Sequence, residues 1–256
     1  ARGIAVYEAH CPSQGKRGAY RLSRSVELLE VPLSVQAIIA ARIDRIDDNA
    51  KRVLQTASVV GKDFSKTIIE RIAEIDEHEL TSALERLKAT DFLFETALYP
   101  VIEYSFKHPL VHEVAYESQL REHRSLRHAA VATALESVEA QRLDEYASML
   151  AYHWERAGDA EQAIKWHRKA ATVASSNDPT SAMQHWSKVR TLFDQLEPTI
   201  EVLNIGAEAC GHLSNLGWRL GAADGLAQTY FEDGLALADR AGNTFFKAVL
   251  TGTFAA

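Results

Sequence analysis

Residues 101–118 have the sequence VIEYSFKHPLVHEVAYES, and the hydrophobic pattern changes within this stretch. Up to Phe106 the residues alternate between two faces, which is typical of a strand. Pro109 then stands where a helix would begin, since a missing N–H costs nothing in the first helical turn. Apolar residues such as Val111 and Ala115 follow at helical spacing. The stretch therefore predicts a strand that runs directly into an amphipathic helix.

Ahead of this junction, apolar residues recur at helical spacing and then alternate in two short segments around Tyr99-Pro100. The alternating segments predict a β-hairpin with a short turn. Helices followed by a hairpin are the order of a winged-helix domain, which we place at residues 19–106. Residues 1–18 show no clear period and are interpreted as an irregular N-terminal remnant. The predicted helices are 33–46, 48–60, 65–75 and 77–90, and the predicted strands are 92–98 and 101–106.

From residue 107 onward the sequence predicts helices only, the last numbered one at 223–241, and the segment VLTGTFAA (249–256) is interpreted as a cut helix. One unit, LAYHWERAGDAEQAIKWHRKA (150–170), has the spacing of a tetratricopeptide repeat. In this unit Gly158 would make the turn, and small residues would let the two helices approach closely. We predict a mainly α protein in which residues 107–256 form a helical linker and a tetratricopeptide-like array. The residues that fit the repeat are Leu150, Ala151, Trp154, Gly158, Ala163 and Ala170.

Three segments in this order resemble signal-transduction ATPases of the STAND class, over about residues 19–196. They are VPLSVQAIIAARIDRIDDNAKRVLQTASVVGKDF (31–64), FKHPLVHEVAYESQL (106–120) and the repeat unit at 150–170. The resemblance is to the C-terminal part of bacterial predicted ATPases that carry a winged helix and tetratricopeptide-like repeats. Such proteins are often fused to class III adenylate or guanylate cyclase domains, and related architectures occur in large transcriptional regulators.

The resemblance implies a regulatory role without catalysis by this chain. The phosphate-binding loop GxxxxGK(S/T) is absent from the sequence, and so is a cyclase core. ATP or ADP with Mg²⁺ would belong to the parent protein, and we expect no cofactor in this chain. The winged helix would clamp the parent's nucleotide-binding domain, and the repeats would offer a surface to a protein partner. The alternatives are a control segment of a nucleotide cyclase and a fragment of a DNA-binding regulator.

His108 is the candidate nucleotide-sensing residue of the parent, a role that the resemblance implies. An imidazole can donate to a phosphate and titrates near neutrality. A plain structural or surface role is the alternative. A metal site would need more than His108, His112 and Glu113, and their order is not HExxH, so we predict no metal.

Two pairs of arginines are candidates for interdomain contact, Arg42 with Arg45 and Arg121 with Arg124. Ordinary ion pairing or a solvated helix face is the alternative for both pairs. DNA is disfavoured as a partner because the predicted recognition helix, at 77–91, carries more acidic than basic residues. Phosphate backbones require clustered Lys and Arg.

The composition restricts the environment and the partners of the chain. The formal net charge of -7 argues against nucleic acid as the main partner. No apolar run approaches the length needed to span a bilayer, so we expect no membrane contact. The two cysteines, Cys11 and Cys210, give no disulfide pattern, and we predict a cytoplasmic protein.

Overall fold

The computed structural model describes the chain in five ranges, which are 7–8, 21–22, 33–99, 101–221 and 225–254. The chain divides into two compact units, Ala1–Arg45 and Ile46–Ala256. Most of the segment 1–18 lies outside the described residues, and so does Pro100 of the predicted hairpin turn.

The first unit contains three described elements. Strand β1 (Tyr7–Glu8) pairs antiparallel with β2 (Arg21–Leu22), and helix α1 spans Leu33–Ile43. Ile39 and Ile43 are buried. These two residues are one helical turn apart, so α1 has one apolar face.

The second unit is mainly helical and contains one small sheet. This confirms the predicted fold class at the level of mainly α. Its elements are α2 (Asp48–Val60), β3 (Asp63–Ser65), α3 (Lys66–Ile72), α4 (Glu77–Ala89), β4 (Leu93–Ala97), β5 (Glu103–Phe106), α5 (Pro109–Glu117), α6 (Arg121–Val138), α7 (Leu143–Ala157), α8 (Ala160–Ala174), α9 (Pro179–Phe193), α10 (Ile200–Leu220), α11 (Leu226–Arg240) and α12 (Thr244–Phe254).

The sheet has three antiparallel strands in the order β3-β5-β4. The prediction of a two-stranded hairpin is therefore incomplete, because β3 adds a strand on the other side of β5. Phe64 lies opposite Tyr104, and their ring centroids are 5.8 Å apart. The Phe64 ring also meets the edge of Phe106 at 6.0 Å. Buried aromatic side chains thus hold β3 in the sheet.

Side-chain caps explain where several helices begin. The carboxylates of Asp47, Asp76 and Asp159 accept hydrogen bonds from backbone N–H groups three residues ahead, at 2.9, 2.8 and 3.0 Å. Each bond satisfies one of the free N–H groups of a helix start. Gly158 ends α7 at φ +81°, a left-handed conformation that favours glycine, and so allows the chain to reverse directly into α8.

The core of the second unit consists of successive helix contacts. The first cluster joins α6, α7 and α8 with α2 and α3, through residues such as Val131, Leu150 and Ala170. A second joins α8, α9 and α10 around Trp186. A third joins the end of α9 with α10 and α11. Each cluster shares helices with the next, so burial is continuous from the sheet-bearing part into the helical part.

The last helix, α12, includes residues 249–254 of the C-terminal segment that the sequence predicts to be helical, and it begins five residues earlier. It packs through Leu250, which is buried, and Leu250 approaches Gly211 of α10. A side chain at Gly211 would meet Leu250 at 2.8 Å, so glycine permits this close approach. In the described part of the chain no helix is long and apolar enough to cross a bilayer.

Candidate functional site

His108 occupies the junction between β5 and α5. It is the N-cap residue of α5, with extended backbone angles of φ -138° and ψ 136°, and its side chain makes no capping hydrogen bond. Its side chain is exposed. Pro109 takes the first helical position, so the strand passes into the helix without an intervening loop.

His112 lies one turn further along α5 and has different surroundings. Its ring meets the buried Phe106 ring edge-on, with centroids 5.0 Å apart, and burial lowers its pKa. His108 is exposed whereas His112 is partly buried. Across the described ranges, no group of three or more His, Cys, Asp or Glu residues is arranged to hold a metal ion.

Arg121 and Arg124 line a cleft of about 410 Å³ formed by α5, α6 and α7. The structure adds a third arginine, Arg156 of α7, which sequence reasoning did not select. We call this feature the arginine cleft. Its lining consists of Arg121, Arg124, Arg156, Tyr116, Ser125, His128 and Glu155.

Buried histidines lie behind the arginine cleft. His128 is 1% exposed, and its Nε2 lies 3.0 Å from the Tyr116 hydroxyl. Its Nδ1 lies 2.9 Å from Nδ1 of His153, which is also 1% exposed. Burial lowers the pKa of His128 to about 3 and that of His153 to about 4. Both rings are therefore neutral at neutral pH, and the Nδ1–H of one ring donates a hydrogen bond to the Nδ1 of the other.

A second concavity lies between α7 and α9, with a volume of about 740 Å³. Another histidine pair lines it: Nδ1 of His167 lies 2.9 Å from Nδ1 of His185. We call this feature the α7–α9 groove. Its lining includes Ser148, Tyr152, Glu155, Arg156, His167, Met183, His185 and Lys188.

Glu155 lines the α7–α9 groove and is hydrogen-bonded to the buried His167. One carboxylate oxygen lies 3.2 Å from Nε2 of His167, and the other accepts from Nζ of Lys188 at 2.8 Å. Partial burial alone would raise the pKa of Glu155, but the hydrogen bonds and charges of Lys188 and His167 together outweigh it and lower that pKa. Burial, the largest cause, lowers the pKa of His167 to about 4. Glu155 is thus ionised, and each of its two carboxylate oxygens has a hydrogen-bond partner.

The other predicted arginines, Arg42 and Arg45, belong to the first unit and are exposed. Arg42 is in the last turn of α1, where a cation interacts favourably with the helix dipole. The structure brings Arg121 and Arg124 together at one cleft within the second unit.

The residues predicted for repeat packing are mostly buried. Leu150 and Ala151 of α7 lie in the cluster with α6, whereas Ala163 of α8 lies in the cluster with α9 and α10. The four buried residues among them are Leu150, Ala151, Ala163 and Ala170.

Trp154 is partly buried and contacts both of these clusters. Its indole Nε1 donates to Oε1 of Glu136 at 2.9 Å, and Nε1 of Trp166 donates to the same oxygen at 2.9 Å. A single carboxylate on α6 thereby satisfies the polar atoms of two large side chains on α7 and α8.

The basic residues of α4 are engaged within the protein. Arg86 forms an ion pair with Asp47 at 3.0 Å. Lys88 lies 2.6 Å from both Glu85 and Glu95, which raise its pKa. Each of these cations is therefore paired with a carboxylate, which lowers the net positive charge that α4 presents.

Sequence reasoning missed the two histidine pairs and Arg156. The partners in each pair are 25 and 18 residues apart on different helices, so no local spacing connects them. A usable signal was present nonetheless, because His153 and His167 lie among apolar residues on the faces that their helices bury. A histidine on such a face requires a buried hydrogen-bond partner.

Comparison with known proteins gives one informative likeness. The chain is 27% identical over 157 residues to an uncharacterized protein of Rhizobium meliloti strain 1021. The match covers 61% of this chain and 15% of that protein, so the chain spans a small part of the relative's length. No family model matches the chain. No solved structure matches it either.

Proposed function

We propose that this chain is a noncatalytic regulatory and protein-interaction segment of a longer signalling ATPase of the STAND class. In this proposal residues 19–106 act as a winged helix against the parent's nucleotide-binding domain. Residues 107–256 act as a tetratricopeptide-like array that binds a protein partner. ATP or ADP with Mg²⁺ belongs to the parent, and the protein works in the cytoplasm.

The α7–α9 groove is the observation that carries the interaction role. Its volume is about 740 Å³. Its lining combines an aromatic ring at Tyr152, an apolar side chain at Met183 and a cation at Lys188. Stacked helical hairpins typically bind partners on such concave surfaces.

Two further observations support this proposal. The Rhizobium relative is much longer than the matched segment, which fits a segment that functions within a large protein. The basic residues of α4 are ion-paired, which favours a protein partner over DNA. The three ordered sequence segments that resemble STAND proteins suggest which kind of parent it is.

A photocrosslinking residue at Tyr152 of the full-length parent tests the groove. Tyr152 is 45% exposed, and the matched control is Phe245 of α12, which is 79% exposed and does not line the groove. We expect defined crosslinks to a protein segment from position 152 and none from position 245. Equal or absent crosslinking at both positions would contradict the interaction role.

His108→Ala in the full-length parent tests the contact with the nucleotide-binding domain. Since His108 is exposed, the substitution should leave stability nearly unchanged but speed the release of bound ADP. His78→Ala is the control, because His78 is also exposed but lies on α4. An ADP release rate equal to that of the control would rule out the sensing role.

A further inference from the structure

We propose that the arginine cleft binds the phosphate group of a small molecule. The cleft shares Glu155 and Arg156 with the α7–α9 groove but would bind a different ligand, and the inference does not rest on the proposed signalling role. It follows from the charge balance of the cleft, from the way its arginines are held, and from a buried hydrogen-bond chain that ends at its wall.

The first argument is the excess of positive charge in the cleft. Neither Arg121 nor Arg156 has a carboxylate within ion-pair distance among the residues that the structure describes. Arg124 forms an ion pair with Glu117 at 2.9 Å, and the Glu117 side chain is 64% exposed. Three guanidinium groups that share one cleft repel one another, so an anion would relieve an existing cost.

The acidic residue in the lining does not cancel this charge. Glu155 lies at the boundary with the α7–α9 groove, and its two oxygens are already taken by His167 and Lys188. Leu120 offers no side-chain cap to the first N–H groups of α6, and Glu122 in the first turn partly offsets the positive end of this helix. The arginines therefore provide the positive charge of the cleft.

The second argument is that aromatic rings hold two of the guanidinium groups. Arg124 lies over the Tyr116 ring with its Cζ 4.7 Å from the centroid, and Arg156 lies over the Tyr152 ring at 5.4 Å. Stacking uses the face of a guanidinium and leaves its N–H edge free of the ring. In Arg124 one N–H group of that edge donates to Glu117, and the others remain for a ligand. Such an edge matches two oxygens of a phosphate, and a fixed orientation lowers the entropy cost of binding.

The third argument concerns the Tyr116 hydroxyl. It is bonded to Nε2 of His128, whose Nδ1 is bonded to Nδ1 of His153. In this proposal the Nδ1–H of His153 donates to Nδ1 of His128. Nε2–H of His128 then donates to the Tyr116 oxygen, and the hydroxyl proton is free to point into the cleft. Because both rings are buried and neutral, this arrangement supplies a donor to an anion without adding a buried charge.

The volume of the cleft limits the class of ligand. About 410 Å³ is near the lower end of the range for small-molecule sites, which is roughly 300–1,000 Å³. The cleft can hold a phosphate with a small organic group. A tetrahedral dianion suits three guanidinium groups around one cleft better than a planar carboxylate does, because it presents more oxygens to them.

Titration calorimetry of the chain with inorganic phosphate and with glycerol phosphate, at constant ionic strength, tests this site. We expect saturable binding of both, and at least about tenfold weaker binding in Arg121→Gln/Arg156→Gln, which loses two charge-assisted contacts. Tyr116→Phe should weaken binding about fivefold, since it loses one neutral hydrogen bond. Arg219→Gln on α10, which does not line the cleft, is the matched control and should bind like the unmodified chain.

Several results would overturn the proposal. Phosphate binding that is absent, or equal in the cleft variants and in Arg219→Gln, would show that the cleft is not the site. Binding of a phosphoserine peptide without binding of the two small probes would reject a small-molecule ligand. If circular dichroism shows that the double variant is unfolded, the Tyr116→Phe measurement decides, and unchanged affinity there would count against the proposal.

Discussion

Helices α6–α9 and helices α10–α12 solve the same packing problem with different side chains. Between α6 and α9, one buried and one partly buried histidine pair join neighbouring helices through Nδ1–Nδ1 hydrogen bonds of 2.9 Å. In α10 and α11, glycines at positions 206 and 234 let the helices approach so closely that a Cβ would contact the neighbouring side chains. Described residues of α10–α12 contain no comparable histidine pair.

The two regions should therefore respond differently to protonation and to added side-chain volume. A core that contains hydrogen-bonded histidines depends on their being neutral, because protonation would place charge in a buried site. A core held by glycine contacts is insensitive to protonation but intolerant of added volume. Acid should therefore destabilise helices α6–α9, and methyl groups added at the glycines should destabilise helices α10–α12.

Acid should have the largest effect. The folded pKa of His153 and of His167 is about 4, below the ordinary value of 6.5, so the unfolded chain binds protons first as the pH falls. Stability is fully present above about pH 6.5 and is lost progressively down to about pH 4, by about 3 kcal/mol for each of the two residues. Urea unfolding at several pH values measures this loss.

A matched substitution separates buried from exposed histidines. His167→Gln should make the acid dependence shallower, whereas replacement of the exposed His123 by Gln should leave it unchanged. If both variants show the slope of the unmodified chain, the buried pairs are not responsible for acid sensitivity.

Breaking one histidine pair should have the next largest effect. His153→Leu leaves Nδ1 of the buried His128 without its partner, which should cost about 1–3 kcal/mol of unfolding free energy. The double variant His128→Leu/His153→Leu should cost less than the sum of the single variants, because it leaves no orphaned nitrogen. Denaturant unfolding of all four proteins gives the coupling energy, and strict additivity would mean that the bond contributes nothing.

Gly206→Ala tests the second region. The new methyl would meet the Phe193 ring at 2.8 Å and Leu237 at 3.1 Å, so we expect a loss of about 1–3 kcal/mol. Gly211→Ala is the comparison, since its methyl meets the flexible end of Leu250 at the same 2.8 Å and should cost less. Thermal unfolding at about pH 7 measures both. A Gly206→Ala protein as stable as the unmodified chain would contradict the close-packing account.

Gly252→Ala should have the smallest effect, and it should stabilise. Gly252 is exposed within α12, and no heavy atom lies within 4 Å of the position that its Cβ would occupy. Alanine should raise the unfolding free energy by about 0.5–1 kcal/mol through helix propensity alone. A lower midpoint in thermal unfolding would indicate a contact on this face of α12.

The sequence allowed much of the fold to be predicted, because most elements carry their own periodic pattern. Helices α2 and α4 and the strands on either side of Tyr99 follow directly from hydrophobic spacing. Strand β3 was missed because its three residues are too short for a period, and only its pairing with β5 makes it a strand. Its stability depends on contacts about 40 residues away in the chain.

The candidate site was less predictable for a related reason. Arg121 and Arg124 are close in sequence, so their charge could be recognised directly. Arg156 joins them only because α7 packs against α6. The tyrosine hydroxyl bonded to His128 likewise depends on the turn between α5 and α6. A cleft formed by three helices has no signature in any one of them.

Glu136 links two tryptophan side chains whose signals can be measured separately. Because one oxygen of this residue accepts from both Trp154 and Trp166, two of the four indoles report on a single atom. A change in both indole N–H resonances together, or in the fluorescence of both rings, indicates that α6 has moved relative to α7 and α8. A change in one ring alone indicates that α7 and α8 have moved relative to each other at Gly158.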